Sequence, residues 1–242
     1  MSVSVSGRRA GHRVRVVFGA AAVVLLSVSA VNAQKGSFTD PRDGKEYRTV
    51  RIGKLTWMAQ NLNFKTGNSW CYDDDLSNCE KYGRLYDWRT AKKACPAGWR
   101  LPDNKDWNDL TKRAGGQRKE LGNGLAYWSG AGKKLKSKTG WSGFLCDKEI
   151  KETLNREFGE DCVLGKMNSG NGTDKFGFSA LPGGYRFPGD SFEYAGISGI
   201  WWSATENGSG SAWFRGMHWN DGNVYDESYV GGFGFSVRCV RD

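Results

Sequence analysis

The sequence has 242 residues, with 35 lysines and arginines against 26 acidic residues and a formal net charge of +9. Four of the arginines lie within the first 15 residues, and without them 31 basic residues face 26 acidic ones, a net charge of +5. This modest excess, spread along the chain, does not indicate a nucleic acid as a partner.

Residues 1–33 are predicted to be a signal peptide. Arg8, Arg9, Arg13 and Arg15 form a positive region that leads into an apolar run over residues 14–30, and Val31-Asn32-Ala33 carries small residues where a signal peptidase reads them. We therefore expect cleavage before Gln34 and an extracytoplasmic protein with no stable membrane span. An uncleaved membrane anchor is the alternative, which the short run, rich in alanine and serine, disfavours.

Residues 34–37 are then expected to be a short linker, and residues 38–242 a single domain. All six cysteines lie in that domain: Cys71, Cys79, Cys95, Cys146, Cys162 and Cys239. An even number in an exported chain predicts three disulfides, which leaves fifteen connectivities open. A structural zinc site is disfavoured because close cysteine pairs with histidine partners are lacking.

The domain is predicted to open with a hairpin over residues 38–63, turning at Gly53-Lys54, followed by a polar loop over residues 68–82. A first helix is predicted from apolar residues at helical spacing, namely Leu85, Trp88, Ala91 and Cys95. A second helix is predicted from an N-cap at Asp103 to Gly115-Gly116. The lysines of residues 133–138 are expected on a solvated loop.

Strand patterns dominate from Gly177 onwards. Residues 212–219 alternate, so Trp213 and Trp219 share one face while Phe214 and His218 share the other. A last strand over residues 233–239 is expected to place Cys239 on its apolar face and Arg238 on the opposite one. Two early helices followed by a late antiparallel sheet predict an α+β fold.

Specific strings carry a resemblance to a known family. They occur in the order GRLYDW (83–88), ACPAGWRLP (94–102), FSALPGGYR (178–186), WWSATE (201–206) and GFSVRCV (234–240). Together they resemble the Fibrobacter succinogenes major paralogous domain, a family of exported bacterial proteins. Residues 143–170 look like an insertion on that pattern.

The family resembles the wider C-type lectin-like fold, in which a cysteine of the first helix typically pairs with one of the last strand. The resemblance thus implies a Cys95–Cys239 disulfide, and local closure of the remaining cysteines predicts Cys71–Cys79 and Cys146–Cys162. Formylglycine-generating enzymes, a related branch, need a specific cysteine pair. Three disulfides would leave none free.

The sequence favours a binding protein over an enzyme. The usual hydrolase, metalloprotease and nucleotide-binding motifs are absent, and His218 is the one histidine after residue 33, with a structural role expected. Among 11 tryptophans and nine tyrosines, an exposed patch for a ligand is expected near the loop end of the sheet. Its predicted members are Trp202, Trp213, Trp219 and Tyr225, with Tyr225 and Tyr229 placed in loops.

Trp219-Asn220-Asp221 is similar to the calcium-binding W-N-D motif of sugar-binding C-type lectins. With Glu206 and Asn207 upstream, these oxygens make calcium a possible cofactor, although the proline of the lectin pattern is absent. The alternative is a plain Asn220-Asp221-Gly222 turn that needs no metal. No cofactor is otherwise expected.

These features predict an exported cell-surface binding or adhesion module for polysaccharide or a surface protein. A structural subunit of a surface assembly, which would self-associate without a ligand, is the alternative, and a carbohydrate-active enzyme comes third.

Overall fold

A computed structural model of the chain describes residues 34–122, 125–153, 155–156, 162, 164–165 and 167–242. The predicted signal peptide lies outside the described residues. The five described helices are α1 (Leu76–Tyr82), α2 (Trp88–Ala94), α3 (Asn104–Arg113), α4 (Gly132–Leu135) and α5 (Lys148–Thr153), and a 3₁₀ turn spans Tyr72–Asp74.

The described strands are β1 (Gln34–Thr39), β2 (Glu46–Ile52), β3 (Leu55–Met58), β4 (Ser69–Trp70), β5 (Leu85–Tyr86), β6 (Gln117–Gly122), β7 (Leu125–Ser129), β8 (Gly143–Leu145), β9 (Met167–Ser169), β10 (Gly183–Arg186), β11 (Phe192–Ala195), β12 (Ser198–Glu206), β13 (Ser211–His218), β14 (Val224–Val230), β15 (Phe235–Ser236) and β16 (Val240–Arg241).

A small antiparallel sheet has the order β1-β2-β3-β16 and joins the two ends of the described chain. The predicted hairpin is confirmed by the pairing of β2 with β3 across Gly53-Lys54. The linker predicted for residues 34–37 is wrong, because Gln34 to Thr39 pair along their whole length with β2. Backbone pairing, which does not depend on side-chain pattern, placed these polar residues in a strand.

The larger sheet has the order β4-β5-β15-β12-β13-β14-β7-β6, with the β10–β11 hairpin attached to β12. Its central strand β12 is covered on both faces. Trp201 points to the side of α3, where it packs with Trp107, and Trp202 points to the side of α2, where it belongs to the same buried cluster as Trp88. The two helices thus lie on opposite faces of the sheet.

The second predicted helix is confirmed as α3. Its N-cap Asp103 accepts a hydrogen bond from the Asp106 amide, and Asp106 accepts one from the Asp103 amide in return. The first helix begins later than predicted, because Asp87 caps α2 and Leu85 lies in β5. The polar loop predicted for residues 68–82 contains α1, whose N-cap is Asp75.

The solvated loop predicted for the lysines is wrong at Lys136, which is buried. Its ammonium group donates to the backbone oxygens of His218 (2.8 Å) and Asp221 (2.6 Å). Lys133 and Lys134 belong to α4. Lys136 therefore holds the end of β13 in place, because carbonyl oxygens replace the water that burial removes from it.

Of the last strand predicted over residues 233–239, only Phe235 and Ser236 form a strand, β15, and both faces of this segment are buried; β16 begins just after it. Arg238, predicted to point away from the core, is fully buried and donates to Asn61 Oδ1 at 2.7 Å and to the backbone oxygen of Met58 at 3.2 Å. Burial lowers the pKa of its guanidinium to about 9. Arg238 therefore ties the last segment to the turn after β3.

The three predicted disulfides are confirmed as Cys71–Cys79, Cys95–Cys239 and Cys146–Cys162. The mixed helix and sheet composition, rich in antiparallel pairs, is likewise as predicted. Within the described ranges, no helix is long and apolar enough to cross a membrane.

Candidate functional site

One face of the larger sheet carries a cavity of about 600 Å³, which we call the aromatic groove. Its floor is the exposed part of β12, β13 and β14, and one wall is the β10–β11 hairpin. The floor residues are Ile200, Phe214, Tyr225, Glu227 and Tyr229. The walls and ends are formed by Tyr185, Phe187, Tyr194, Ile197, Ser198, His218, Trp219, Asn220, Asp221, Phe233 and Phe235.

Strand alternation sorts the side chains of β14 between two environments. Tyr225, Glu227 and Tyr229 point into the groove, while Val224 and Asp226 point to the opposite face, beneath α3. Every second residue of β14 from Tyr225 to Tyr229 therefore faces the groove, and this alternation can be read from the sequence.

Aromatic rings line the rim and remain accessible. Tyr194 stacks on Tyr185 with 5.5 Å between ring centroids, and Tyr229 meets Phe233 edge-on at 4.5 Å. Tyr194 is 46% exposed and Tyr229 is 51% exposed. Tyr194 and Tyr229 thus offer large aromatic rings to solvent at the edge of the groove, although each ring is fixed by a neighbour.

The backbone of the β10–β11 hairpin is adapted to hold this wall. Tyr194 has a φ of +66°, a left-handed conformation that is costly for a bulky residue. A Cβ atom at Gly184 would lie 2.5 Å from the Glu193 carbonyl oxygen, so only glycine permits the close approach of β10 and β11. A strained backbone conformation in the hairpin thus holds the Tyr194 ring in the wall of the groove.

Glu227 is the residue of the groove floor that stands out chemically. Its half-buried carboxyl group has no hydrogen bond or ion pair to any residue that the structure describes, and burial raises its pKa. No lysine or arginine is among the described lining residues. The floor of the aromatic groove therefore holds a carboxyl group that has no partner among the described residues.

Asp221, the other acidic lining residue, is occupied within its own turn. Its carboxylate accepts from the Asn223 amide (2.8 Å) and from the Tyr225 hydroxyl (2.7 Å). These contacts fix the end of the groove and position the Tyr225 ring. They match the plain-turn alternative for Asn220-Asp221-Gly222.

His218 lies in the groove wall with its Nδ1 atom 2.9 Å from Ser198 Oγ. Burial lowers the pKa of the imidazole, so the ring is neutral at physiological pH. A serine hydrolase would also need a carboxylate oriented on the ring, and both oxygens of nearby Asp221 are engaged elsewhere. The pair supplies a serine and a histidine, but no described residue supplies the third element of a catalytic triad, a carboxylate oriented on the ring.

The sequence model of the Fibrobacter succinogenes major domain matches residues 50–241 of this chain. The chain belongs to that family. No curated protein and no solved structure matches it. The groove, from Tyr185 to Phe235, lies wholly inside the part matched by the Fibrobacter succinogenes major domain.

The structure brings together two of the four ligand residues predicted from the sequence, Trp219 and Tyr225. Trp202 is wrong as a stacking residue, because it is fully buried and its indole donates to the Tyr86 carbonyl oxygen at 2.7 Å. Trp213 is half-buried on the face of β13 opposite the groove, next to groove residue Phe214.

Tyr225 and Tyr229 lie in β14, and their predicted placement in loops is wrong. Sequence reasoning also missed Glu227 and the wall residues Tyr185 and Tyr194. The signal for the floor was present as the alternation of Tyr225, Glu227 and Tyr229, which marks one face of a strand.

The four-residue calcium site predicted from Glu206, Asn207, Asn220 and Asp221 is wrong. Glu206 and Asn207 lie at one end of the β12–β13 hairpin, and Asn220 and Asp221 follow the other end of β13. A strand of this length separates them by roughly 25 Å, far beyond a shared ion. Nor do three or more His, Cys, Asp or Glu residues cluster as metal ligands in the described part of the chain.

Proposed function

We propose that this chain is an exported bacterial surface module that binds a polysaccharide chain in the aromatic groove. The observation that carries the proposal is the pair of half-exposed rings, Tyr194 and Tyr229, that line the same cavity. Sugar rings have apolar faces that stack on aromatic side chains, and rings already fixed by neighbours lose little entropy on binding.

Export agrees with the redox chemistry of the chain. All six cysteines are paired, and structural disulfides form and persist in oxidising compartments outside the cytoplasm. Cleavage before Gln34 remains our expectation, and mass spectrometry of the purified protein tests it. A protein retaining Met1 and found in the cytosolic fraction would contradict export.

Binding without chemical turnover is the second part of the proposal, within a C-type lectin-like fold. The neutral His218–Ser198 pair lacks an oriented carboxylate among the described residues, and Glu227 has no second free carboxylate beside it in the groove lining. Glycoside hydrolysis normally uses two such groups. A structural subunit is the competing function, and self-association without ligand in size-exclusion chromatography would favour it.

The test is retention on insoluble polysaccharides followed by titration calorimetry with matching oligosaccharides. Tyr194→Ala and Tyr229→Ala each remove one exposed ring, and we expect each to weaken binding by about five-fold, since an aromatic contact contributes roughly 1 kcal/mol. Trp213→Ala is the matched control, because it removes a half-buried ring from the opposite face. Equal losses in all three variants, or no retention of any polysaccharide by the wild type, would overturn the proposal.

A further inference from the structure

We propose that the polysaccharide carries protonated amines, as in a polymer of glucosamine without N-acetyl groups, and that Glu227 binds the ammonium group. This inference rests on the proposed function and names its substrate class. It starts from the one carboxyl group of the groove that has no partner in the described structure.

The position of Glu227 is costly without a ligand. Burial removes part of the water around its carboxylate, and neither a hydrogen-bond donor nor a cation from the described chain replaces it. An ammonium group supplies both charge and up to three donors at such a point. A neutral hydroxyl would supply one donor and leave the charge uncompensated.

The neighbours of Glu227 suit a cation as well. Tyr225 and Tyr229 flank it on the same face of β14, and Phe214 is its direct cross-strand partner on β13. Directly paired side chains have Cβ atoms about 5 Å apart. Aromatic faces attract an ammonium group through their quadrupoles, so the rings and the carboxylate favour the same ligand charge.

The charge pattern of the whole domain sharpens the argument. The protein is basic overall, yet the described groove lining contains two acidic residues and neither lysine nor arginine. Bulk electrostatics would therefore repel a polycation, and attraction is confined to the groove. An acidic polysaccharide would meet the opposite situation, because its carboxylates would face Glu227 with no counter-charge.

The experiment compares two hexasaccharides with one backbone, the β-1,4-linked hexamer of glucosamine and its fully N-acetylated form. Calorimetry is run over a pH series from mildly acidic to neutral, because lower pH favours protonated amines and higher pH favours ionised Glu227, whose pKa burial raises. We expect the glucosamine hexamer to bind about ten-fold more tightly, the size of a partly desolvated cation–π and ion-pair contact. Glu227→Gln should remove that preference, so that the two hexamers bind the variant with similar affinity.

Glu206→Gln is the matched control, because it neutralises an exposed carboxylate of the same sheet outside the groove. A preference that survives Glu227→Gln, or falls equally with Glu206→Gln, would overturn the inference. The comparison of the two hexamers on the wild type needs no variant and decides the matter even if Glu227→Gln fails to fold.

The outcomes also separate the inference from the proposed function. Equal binding of both hexamers keeps a polysaccharide site and overturns the amine requirement. Binding of neither hexamer, together with tight binding of a lysine-rich peptide that Tyr229→Ala abolishes, would overturn both and assign the groove to a cationic protein.

Discussion

Asp226 and Glu227 are neighbours in the sequence, yet β14 sends their carboxyl groups into opposite environments. Asp226 lies beneath α3, where its Oδ1 atom is 2.5 Å from Arg215 Nε and its Oδ2 atom accepts from the Trp128 indole. Glu227 faces the aromatic groove with no partner among the described residues. The carboxylate of Asp226 is thus buried and paired, whereas that of Glu227 is half-buried and has no described partner.

On the face of β14 beneath α3, the buried charges are paired. Arg215 also donates to Asn104 at 3.2 Å and to Asn108 at 3.0 Å, both on α3, so the ion pair connects helix and sheet. Burial lowers the pKa of Arg215 to about 10 and raises that of Asp226. Glu227 has no such partner among the described residues, so we expect a ligand to supply the opposite charge.

The largest expected loss of stability comes from removing the Cys95–Cys239 disulfide. Cys95 follows α2 and pairs with Cys239 across 144 residues, so opening this bond frees a long loop in the unfolded chain. We expect Cys95→Ser to lower the free energy of unfolding by up to about 5 kcal/mol. Cys146→Ser, which opens a loop of 16 residues, should cost no more than about 3 kcal/mol.

Thermal melts of the two variants test this ranking. A Cys146→Ser variant that melts below Cys95→Ser would show that residues 143–170 support the core. The predicted insertion would then no longer be peripheral.

The next effect distinguishes the two neighbouring acids. Asp226→Ala leaves the guanidinium of Arg215 buried without its counter-charge, and we expect a loss of about 3 to 5 kcal/mol in unfolding free energy. Glu227→Ala removes an unpaired carboxylate and should cost less than about 1 kcal/mol. Urea denaturation of both variants measures the contrast, and similar losses would mean that Glu227 has a structural role.

The sequence predicted the features that depend on local chemistry. Asp103 caps α3 because a side chain and an amide three residues apart suffice for it, and the cysteine pairs followed from short loops and a family pattern. The sequence failed where the decisive partner is remote. Lys136 is buried because carbonyl oxygens some 80 residues away receive it, and Arg238 because Asn61 does.

The candidate site shows the same limit. Asn207 and Asn220 are close in the sequence, but an intervening strand places them at opposite ends of a hairpin. The alternation around Glu227 was visible, whereas its lack of a partner is a property of the folded sheet alone. Spacing along the chain thus predicted which face a residue takes but not what it meets there.

The smallest expected effect is a pH-dependent gain in stability from Glu227→Gln. Because burial raises the pKa of Glu227 in the folded state, ionisation costs more there than in the unfolded chain. Below the ordinary glutamic acid pKa, both states are protonated and this cost is absent. As the pH rises through the raised pKa of the folded state, the wild type loses stability that the glutamine variant keeps. We therefore expect the variant to melt higher at neutral pH, by no more than about 3 °C, and the difference between the two proteins to shrink in acid.

Glutamine keeps the shape and removes the charge, so packing changes should not contribute. Melts of both proteins across that window, with Glu206→Gln as the exposed control, measure the effect. A variant that is less stable than the wild type at neutral pH would mean that the carboxylate of Glu227 already has a stabilising partner, as the carboxylate of Asp226 has beneath α3.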